Sequence, residues 1–292
     1  MSKKKVTFID LFAGIGGFHL AFHNNGAKCV FVSEWDEPAR KTYQANFEKI
    51  EPKLFDLKNI DKTFVGDITK IDPKHIPDFD VITGGFPCQP FSQAGLKKGF
   101  TETRGTLFFD IARIIKKKQP KAFFLENVRG LLTHDDGKTF ETIKHVLTKE
   151  LGYSFYYKVV KASDYGVPQH RPRLFMVGFK DKSIKFEFPE PKELKMTMAD
   201  VFDAKEVNKK IGFTLRVGGR HSGLDDRRNW DTYLVDGEVK RLTPKEGLRL
   251  QGFPDDFNFP VSETQAMKQL GNSVAVPAIQ ATAKQIMKAL NK

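Results

Sequence analysis

The spacing of apolar positions changes character along the chain. Through the first 180 residues, short runs rich in Val, Ile and Phe alternate with longer stretches whose apolar residues recur every three or four positions. The short runs predict strands at Val6–Leu11, Cys29–Ser33, Asp80–Thr83, Ala122–Leu125, Tyr156–Val160 and Arg173–Val177. The longer ones predict helices at Gly17–Asn25, Glu37–Phe47, Thr106–Lys118 and Thr139–Leu151, with Gly26 closing the first and Gly152 the last. Such alternation implies an α/β fold, a doubly wound and mostly parallel sheet with helices on both faces.

Beyond Gly178 the pattern weakens. Residues 181–240 bring Pro189, Pro191, a charged stretch and then Gly218-Gly219-Arg220-His221-Ser222-Gly223, which reads as a smaller, loop-rich region with weak β patterning. Ala275–Leu290 predicts an amphipathic helix. A helix of that length is marginal alone in water, so it is expected to pack back on the larger domain. The expected division is therefore 1–180 plus 261–292 as one domain and 181–260 as a second.

Composition narrows the class. A chain of 292 residues with 40% hydrophobic residues and 27 Phe can build a core, which excludes global disorder. No apolar run approaches the roughly 20 residues that span a bilayer, and no apolar segment follows the basic start Met1-Ser2-Lys3-Lys4-Lys5. Neither a membrane nor secretion is expected. Cys29 and Cys88 are too few for a disulfide framework or a four-ligand zinc site, so a reducing cytoplasm and no metal are expected. The net charge of +12 is spread without a basic tail. It suits a polyanionic partner, and equally an ordinary solvated surface.

Three segments carry candidate chemistry. Phe8–Gly17 is an apolar strand running into the turn Gly14-Ile15-Gly16-Gly17, and Glu34 lies 20 residues beyond Gly14, at the end of the second strand. An acid at that distance is placed to hold ribose hydroxyls. Gly-x-Gly-Gly lacks the third glycine of the dinucleotide fingerprint, which favours a nucleoside ligand without a pyrophosphate. Asp67 would sit at the tip of a third strand and accept from an adenine amino group.

The second segment is Gly84-Gly85-Phe86-Pro87-Cys88-Gln89-Pro90-Phe91-Ser92, which leaves a buried strand at its carboxyl end, where open α/β sheets gather their chemistry. Most free cysteines are apolar filler, as Cys29 is expected to be. The rigid Pro-Cys-Gln-Pro setting argues for more at Cys88. Glu126 ends another strand and can face Cys88 across the sheet edge, or can be a capping or solvated acid. The third segment holds Arg171 and Arg173, whose period-two spacing puts both on one side of an extended chain. They can bind a base carbonyl or a phosphate, or simply decorate a strand edge.

Together these segments resemble the cytosine-C5 DNA methyltransferases of the prokaryotic restriction-modification type. The resemblance covers Phe8–Gly178 and Arg241–Ile286. In order, it rests on Phe12-Ala13-Gly14-Ile15-Gly16-Gly17, Glu34-Trp35-Asp36, Gly66-Asp67-Ile68, Pro87-Cys88-Gln89, Glu126-Asn127-Val128, Gln169-x-Arg171-x-Arg173, Arg249-Leu250-Gln251-Gly252-Phe253-Pro254 and Gln269-Leu270-Gly271-Asn272-Ser273-Val274. No departure falls on a position expected to be catalytic.

The resemblance implies a Rossmann-like methyltransferase sheet with a small target-recognition domain, S-adenosylmethionine as cofactor, and duplex DNA as partner. Phe12 would stack on the adenine, Glu34 would hold the ribose and Asp67 the adenine amino group. Gly14, Gly17, Trp35, Ile68, Pro87 and Asn272 would line the same site. Cys88 would add as a thiolate to C6 of a flipped-out cytosine, making C5 nucleophilic. Glu126 would hold or protonate N3, and Arg171 and Arg173 would bind O2 and the adjacent backbone, Arg173 taking O2. After Cys88, Ser92 would lie near a phosphate and Gln93 near the space vacated by the base.

Thr214-Leu215 resembles the step that precedes recognition loops in this family. Arg216, Arg220, His221, Arg227 and Arg228 follow, and arginine reads guanine O6 and N7 in the major groove. Phosphate contacts, or ion pairs with Asp225, Asp226 and Asp231, are the alternative. Relatives acting on transfer RNA keep nearly all these motifs, so duplex DNA rests on the recognition region. A monomer is expected, acting on bacterial DNA, with a restriction endonuclease sharing the site but not bound to the chain.

Overall fold

The computed structural model describes residues 5–58, 60–87, 107–219 and 222–291. Its centre is a seven-stranded sheet of β1 (Thr7–Leu11), β2 (Lys28–Ser33), β3 (Phe64–Val65), β4 (Val81–Gly85), β5 (Ala122–Val128), β6 (Tyr156–Lys161) and β7 (Pro172–Phe179), in the order β3-β2-β1-β4-β5-β7-β6. β3 through β5 pair in parallel, and β7 is antiparallel to both its neighbours. The doubly wound, mostly parallel α/β expectation therefore holds. Strand order reverses between β1 and β4, and the crevice at such a reversal is where these sheets receive ligands.

Alternate side chains of each strand supply two cores. Phe8, Val81 and Phe124 face one layer, while Ile9, Ile82 and Phe123 face the other. On the first face lie α1 (Gly17–His23), α2 (Glu37–Phe47) and the C-terminal helix α8 (Val276–Leu290), whose Ile279, Ala283 and Ile286 are fully buried. The last helix packs against α1, as its length required. On the second face lie α3 (Leu107–Lys118) and α4 (Lys138–His145). The helix expected to reach Leu151 instead widens after His145 into a π turn over Val146–Glu150.

The segment after β7 contributes a one-turn helix, α5 (Met198–Phe202), and a separate two-stranded sheet of β8 (Thr232–Val235) and β9 (Glu238–Arg241). Trp230 and Tyr233 bury themselves beneath it with Met198 and Leu215. α6 (Pro244–Gln251) starts with a Thr243/Glu246 capping box and packs on α7 (Glu263–Asn272). Gln251 Nε2 donates to the Leu270 carbonyl at 2.7 Å, tying α6 to the last part of the chain. Among the described residues, no helix is long and apolar enough to cross a membrane.

Candidate active site

The parallel strands deliver their carboxyl ends to one edge of the sheet. β1 ends at Leu11, β2 at Ser33, β4 at Gly85, and β5 carries Glu126 opposite Gly85. Because β7 runs the other way, its first residues reach that same edge, with Arg173 opposite Val128. A cleft of about 730 Å³ opens there, within the usual size of small-molecule sites. Phe12, Gly14, Glu34, Trp35, Asp67, Ile68, Pro87 and Asn272 line one part of it, and Glu126, Arg171 and Arg173 another.

At the cofactor end the backbone is held in conformations few residues adopt. Phe12 has φ +54° and Gly14 φ +55°. A bulky residue there costs roughly 1–3 kcal/mol, and the gain is a phenyl ring turned into the cleft. A Cβ on Gly14 would meet nothing within 4 Å, so the turn leaves a cradle open to a ligand. Glu34 accepts from the Gly14 N–H at 2.7 Å and from the Asp36 N–H at 2.8 Å. Burial raises its pKa, and those two backbone donors oppose the rise. Each carboxylate oxygen keeps a second lone pair for a hydroxyl.

Asp67 follows β3 and caps the turn after it, accepting from the Thr69 N–H and hydroxyl through Oδ1. The Thr69 hydroxyl holds its carboxyl below the usual range. Trp35 is 81% exposed at the rim, a large apolar face without cover. These features fit a nucleoside ligand such as S-adenosylmethionine. Gly17 has another task. It does not line the cleft, and a Cβ there would lie 2.6 Å from Val274, so its missing side chain admits the chain after α7.

At the other end, Arg173 Nε lies 3.0 Å from Glu126 Oε1, with both side chains largely buried. Glu126 and Arg173 are diagonal neighbours on one face of the β5–β7 ladder. Burial raises the Glu126 pKa, while Arg173 and then Arg171 oppose it. The carboxyl thus holds a proton more readily than an ordinary Glu, yet its anion has a cation at hand. Asn127 Nδ2 donates to the Phe86 carbonyl at 2.9 Å, fixing the backbone one residue before Pro87. Cys88 lies outside the described residues, as do Ser92, Gln93 and Arg220.

Arg171 has a structural part as well. It lines the cleft, its side chain is 2% exposed, both Nη atoms bond to the protein, and its buried Nε has no hydrogen-bond partner among the described residues. Nη1 donates to the Leu215 carbonyl at 3.0 Å, and Nη2 donates to the carbonyls of Gly271 (3.0 Å) and Ser273. Gln169 reinforces the clamp, donating to the Leu250 carbonyl at 2.8 Å and accepting from the Leu215 N–H at 3.0 Å. Period-two spacing put both arginines on one side. It could not show which one would bond to distant carbonyls.

Thr214, Arg216, Arg227 and Arg228 do not line the cleft. The Thr214 hydroxyl donates to the His170 carbonyl. Arg228 is engaged by Asp226, with Nη2 2.8 Å from Oδ2 and Nε 3.1 Å from Oδ1, so the ion-pair alternative holds for it. Arg216 and Arg227 are exposed. Residues that the sequence did not single out also line the cleft, among them Ser33, Asn127, Lys268 and Gln269. Gln269 accepts from the buried Thr42 hydroxyl at 2.9 Å, and its buried Nε2 has no partner among the described residues. Its place within Gln269-Leu270-Gly271-Asn272 was the available signal.

Comparison with known proteins agrees with this geometry. A family model described as C-5 cytosine-specific DNA methylase matches residues 6–229 and 216–288. The chain is 44% identical to the Type II methyltransferase M.HpaII of Haemophilus parainfluenzae, over 99% of this chain and 91% of that protein. It is 40% identical to M.HhaI of Haemophilus parahaemolyticus, over 97% and 95%. Among solved structures it is similar to the S. pombe Dnmt2 methyltransferase, with TM-score 0.70 and 17% identity, covering 99% of this chain and 100% of that one. A sheet edge that sets a buried Glu–Arg pair in the wall of one cleft, together with these matches, places the chain in the family of C-5 cytosine-specific DNA methylases.

Proposed function

We propose that this DNA methylase modifies one cytosine within a short duplex site, working as a monomer in a bacterial cytoplasm and protecting that site from a cognate restriction endonuclease. The observation that carries the reading is the Glu126–Arg173 pair at 3.0 Å, buried at the edge where Pro87 leads into Cys88. S-adenosylmethionine supplies an electrophilic methyl group when bound, and Phe12, Glu34, Trp35 and Asp67 would hold it.

The remaining chemistry belongs to the chain. The Cys88 thiolate adds to C6 of the flipped cytosine, forming an S–C bond and pushing electron density to C5. Glu126, inclined by burial to hold its proton, donates it toward N3 as that charge develops. Arg173 steadies the resulting carboxylate and, with its remaining N–H groups, donates to O2. C5 then takes the methyl group that the cofactor would supply, loss of the C5 proton to a base expels the thiolate, and N3 returns its proton to the Glu126 carboxylate, which restores the ring. Arg171 acts as a positioning residue, holding the segments at Leu215, Gly271 and Ser273 around the cleft.

Residues 181–260 would form the recognition domain. Arg216 and Arg227 are its candidates for reading guanine, since Arg228 is committed to Asp226. The test is tritium transfer from labelled S-adenosylmethionine to duplex DNA, with Cys88→Ala alongside and bisulfite mapping of the product. Transfer lost in the variant and mapped to one short site is expected. No transfer to DNA by folded, cofactor-binding protein would move the substrate to RNA. If neither Arg216→Ala nor Arg227→Ala relaxes site choice, these two do not read bases.

A further inference from the structure

α1 carries His19 and His23 four residues apart, so both rings project from the same face of the helix. Glu51, just beyond α2, meets them there. One potential ligand atom from each of the three residues lies within 4.8 Å of the others. None of the three lines the cleft.

His19 is fully buried, and its two ring nitrogens are unlike. Nδ1 lies 2.5 Å from the Tyr43 hydroxyl, whereas Nε2 is buried with no hydrogen-bond partner among the described residues. Such an orphan calls for an explanation. Cys29, beside Tyr43, is paired with the Phe31 carbonyl. When the His19 proton sits on Nδ1, that nitrogen donates to the Tyr43 hydroxyl. Nε2 is left as a bare lone pair, and the ring is oriented by an outer hydrogen bond, as metal-bound imidazoles are. Phe47 stacks on the ring at 4.1 Å and holds it.

We propose that His19, His23 and Glu51 bind one divalent transition-metal ion of the zinc class, with water completing the coordination. Two imidazoles and one carboxylate suit Zn2+, Co2+ or Ni2+, whereas Mg2+ and Ca2+ prefer oxygen throughout. Donors around tetrahedral zinc stand about 3.3 Å apart, so the group must close by roughly 1.5 Å. His23 and Glu51 are only partly buried and can make that movement, while His19 stays fixed. Lys28 and Lys5 are the cations near Glu51, and the ion must compete with them. The ion would join the far ends of α1 and α2, whose first residues follow the glycine turn and the cleft rim at Asp36. It takes no part in methyl transfer.

The test uses the full chain without an affinity tag, stripped by chelator, in a Cys88→Ala background that removes the competing thiol. Zn2+ is titrated by calorimetry, and Co2+ is followed by its visible ligand-field bands. One equivalent is expected, with nitrogen and oxygen ligation and no sulfur-to-cobalt charge transfer. His23→Ala and Glu51→Gln change partly exposed positions, and circular dichroism confirms their folding. A loss of affinity of about tenfold or more in either variant supports the site. A smaller loss in both, or no saturable binding by the parent, overturns it.

Discussion

Arg171→Met removes three charge-assisted hydrogen bonds at once, to the carbonyls of Leu215, Gly271 and Ser273, while keeping much of the side chain's volume. Each such bond contributes about 1.5–3 kcal/mol, but the three share one guanidinium and their losses do not add fully. Leaving a buried carbonyl unpaired costs about 1–3 kcal/mol, so three with partial additivity give an expected loss of unfolding free energy of about 3–5 kcal/mol. With 292 residues at about 2.1 cal/mol/K each, it corresponds to a fall in Tm of roughly 5–8 °C. Urea unfolding followed by tryptophan fluorescence reads the first quantity, and buried Trp230, whose indole donates to the Gly218 carbonyl three residues beyond Leu215, reports the right region. Thermal melts read the second. Protein that remains folded at 20 °C should keep measurable methyl transfer, since Arg173 and Glu126 still stand together. A stability loss under about 1 kcal/mol with transfer abolished would refute the clamp and return Arg171 to direct contact with substrate.

Three further outcomes are expected. Glu126→Gln should lower kcat/KM by about 10²–10⁴-fold. Because burial raises the Glu126 pKa, the protonated form is lost as pH rises through that raised value, and the variant's pH–rate profile should lack that limb; an unaltered profile would exclude the acid role. Glu34→Gln offers one oxygen where the Gly14 and Asp36 N–H groups and a ribose need two, so calorimetry should find S-adenosylmethionine binding weakened by about tenfold or more. Asp10 is fully buried, its Oδ2 has no hydrogen-bond partner among the described residues, and desolvation raises its pKa well above the usual value. A raised folded-state pKa gives stability that is full below about pH 4 and lost as pH rises. Asp10→Asn should therefore gain on the parent more at pH 8 than at pH 5 in urea unfolding, and equal gains would contradict that sign.

Much of the fold was legible because it follows from local periodicity. Alternation at Phe8-Ile9 and at Phe123-Phe124 marks strands buried on both faces, and α2 begins and ends where Asp36 and the apolar spacing place it. The glycine turn and the acid at Glu34 were readable too, since a tight turn limits residue choice and the 20 residues from Gly14 to Glu34 span one helix and the strand after it. The sequence by itself determined the α/β class, most of the order of strands and helices as far as β7, and the residue types gathered at the strand ends. Tertiary structure decided how the arginines divide their work. Arg171 and Arg173 share spacing and chemistry, and only the arrival of Leu215, Gly271 and Ser273 from distant segments gives the Nη atoms of the first their partners, while the second pairs with Glu126. It also decided that Gly17 lies close against Val274, and that Glu51 meets His19 and His23. Such contacts join residues tens to hundreds of positions apart. They are set by how packed layers close on one another, and no local pattern carries that information.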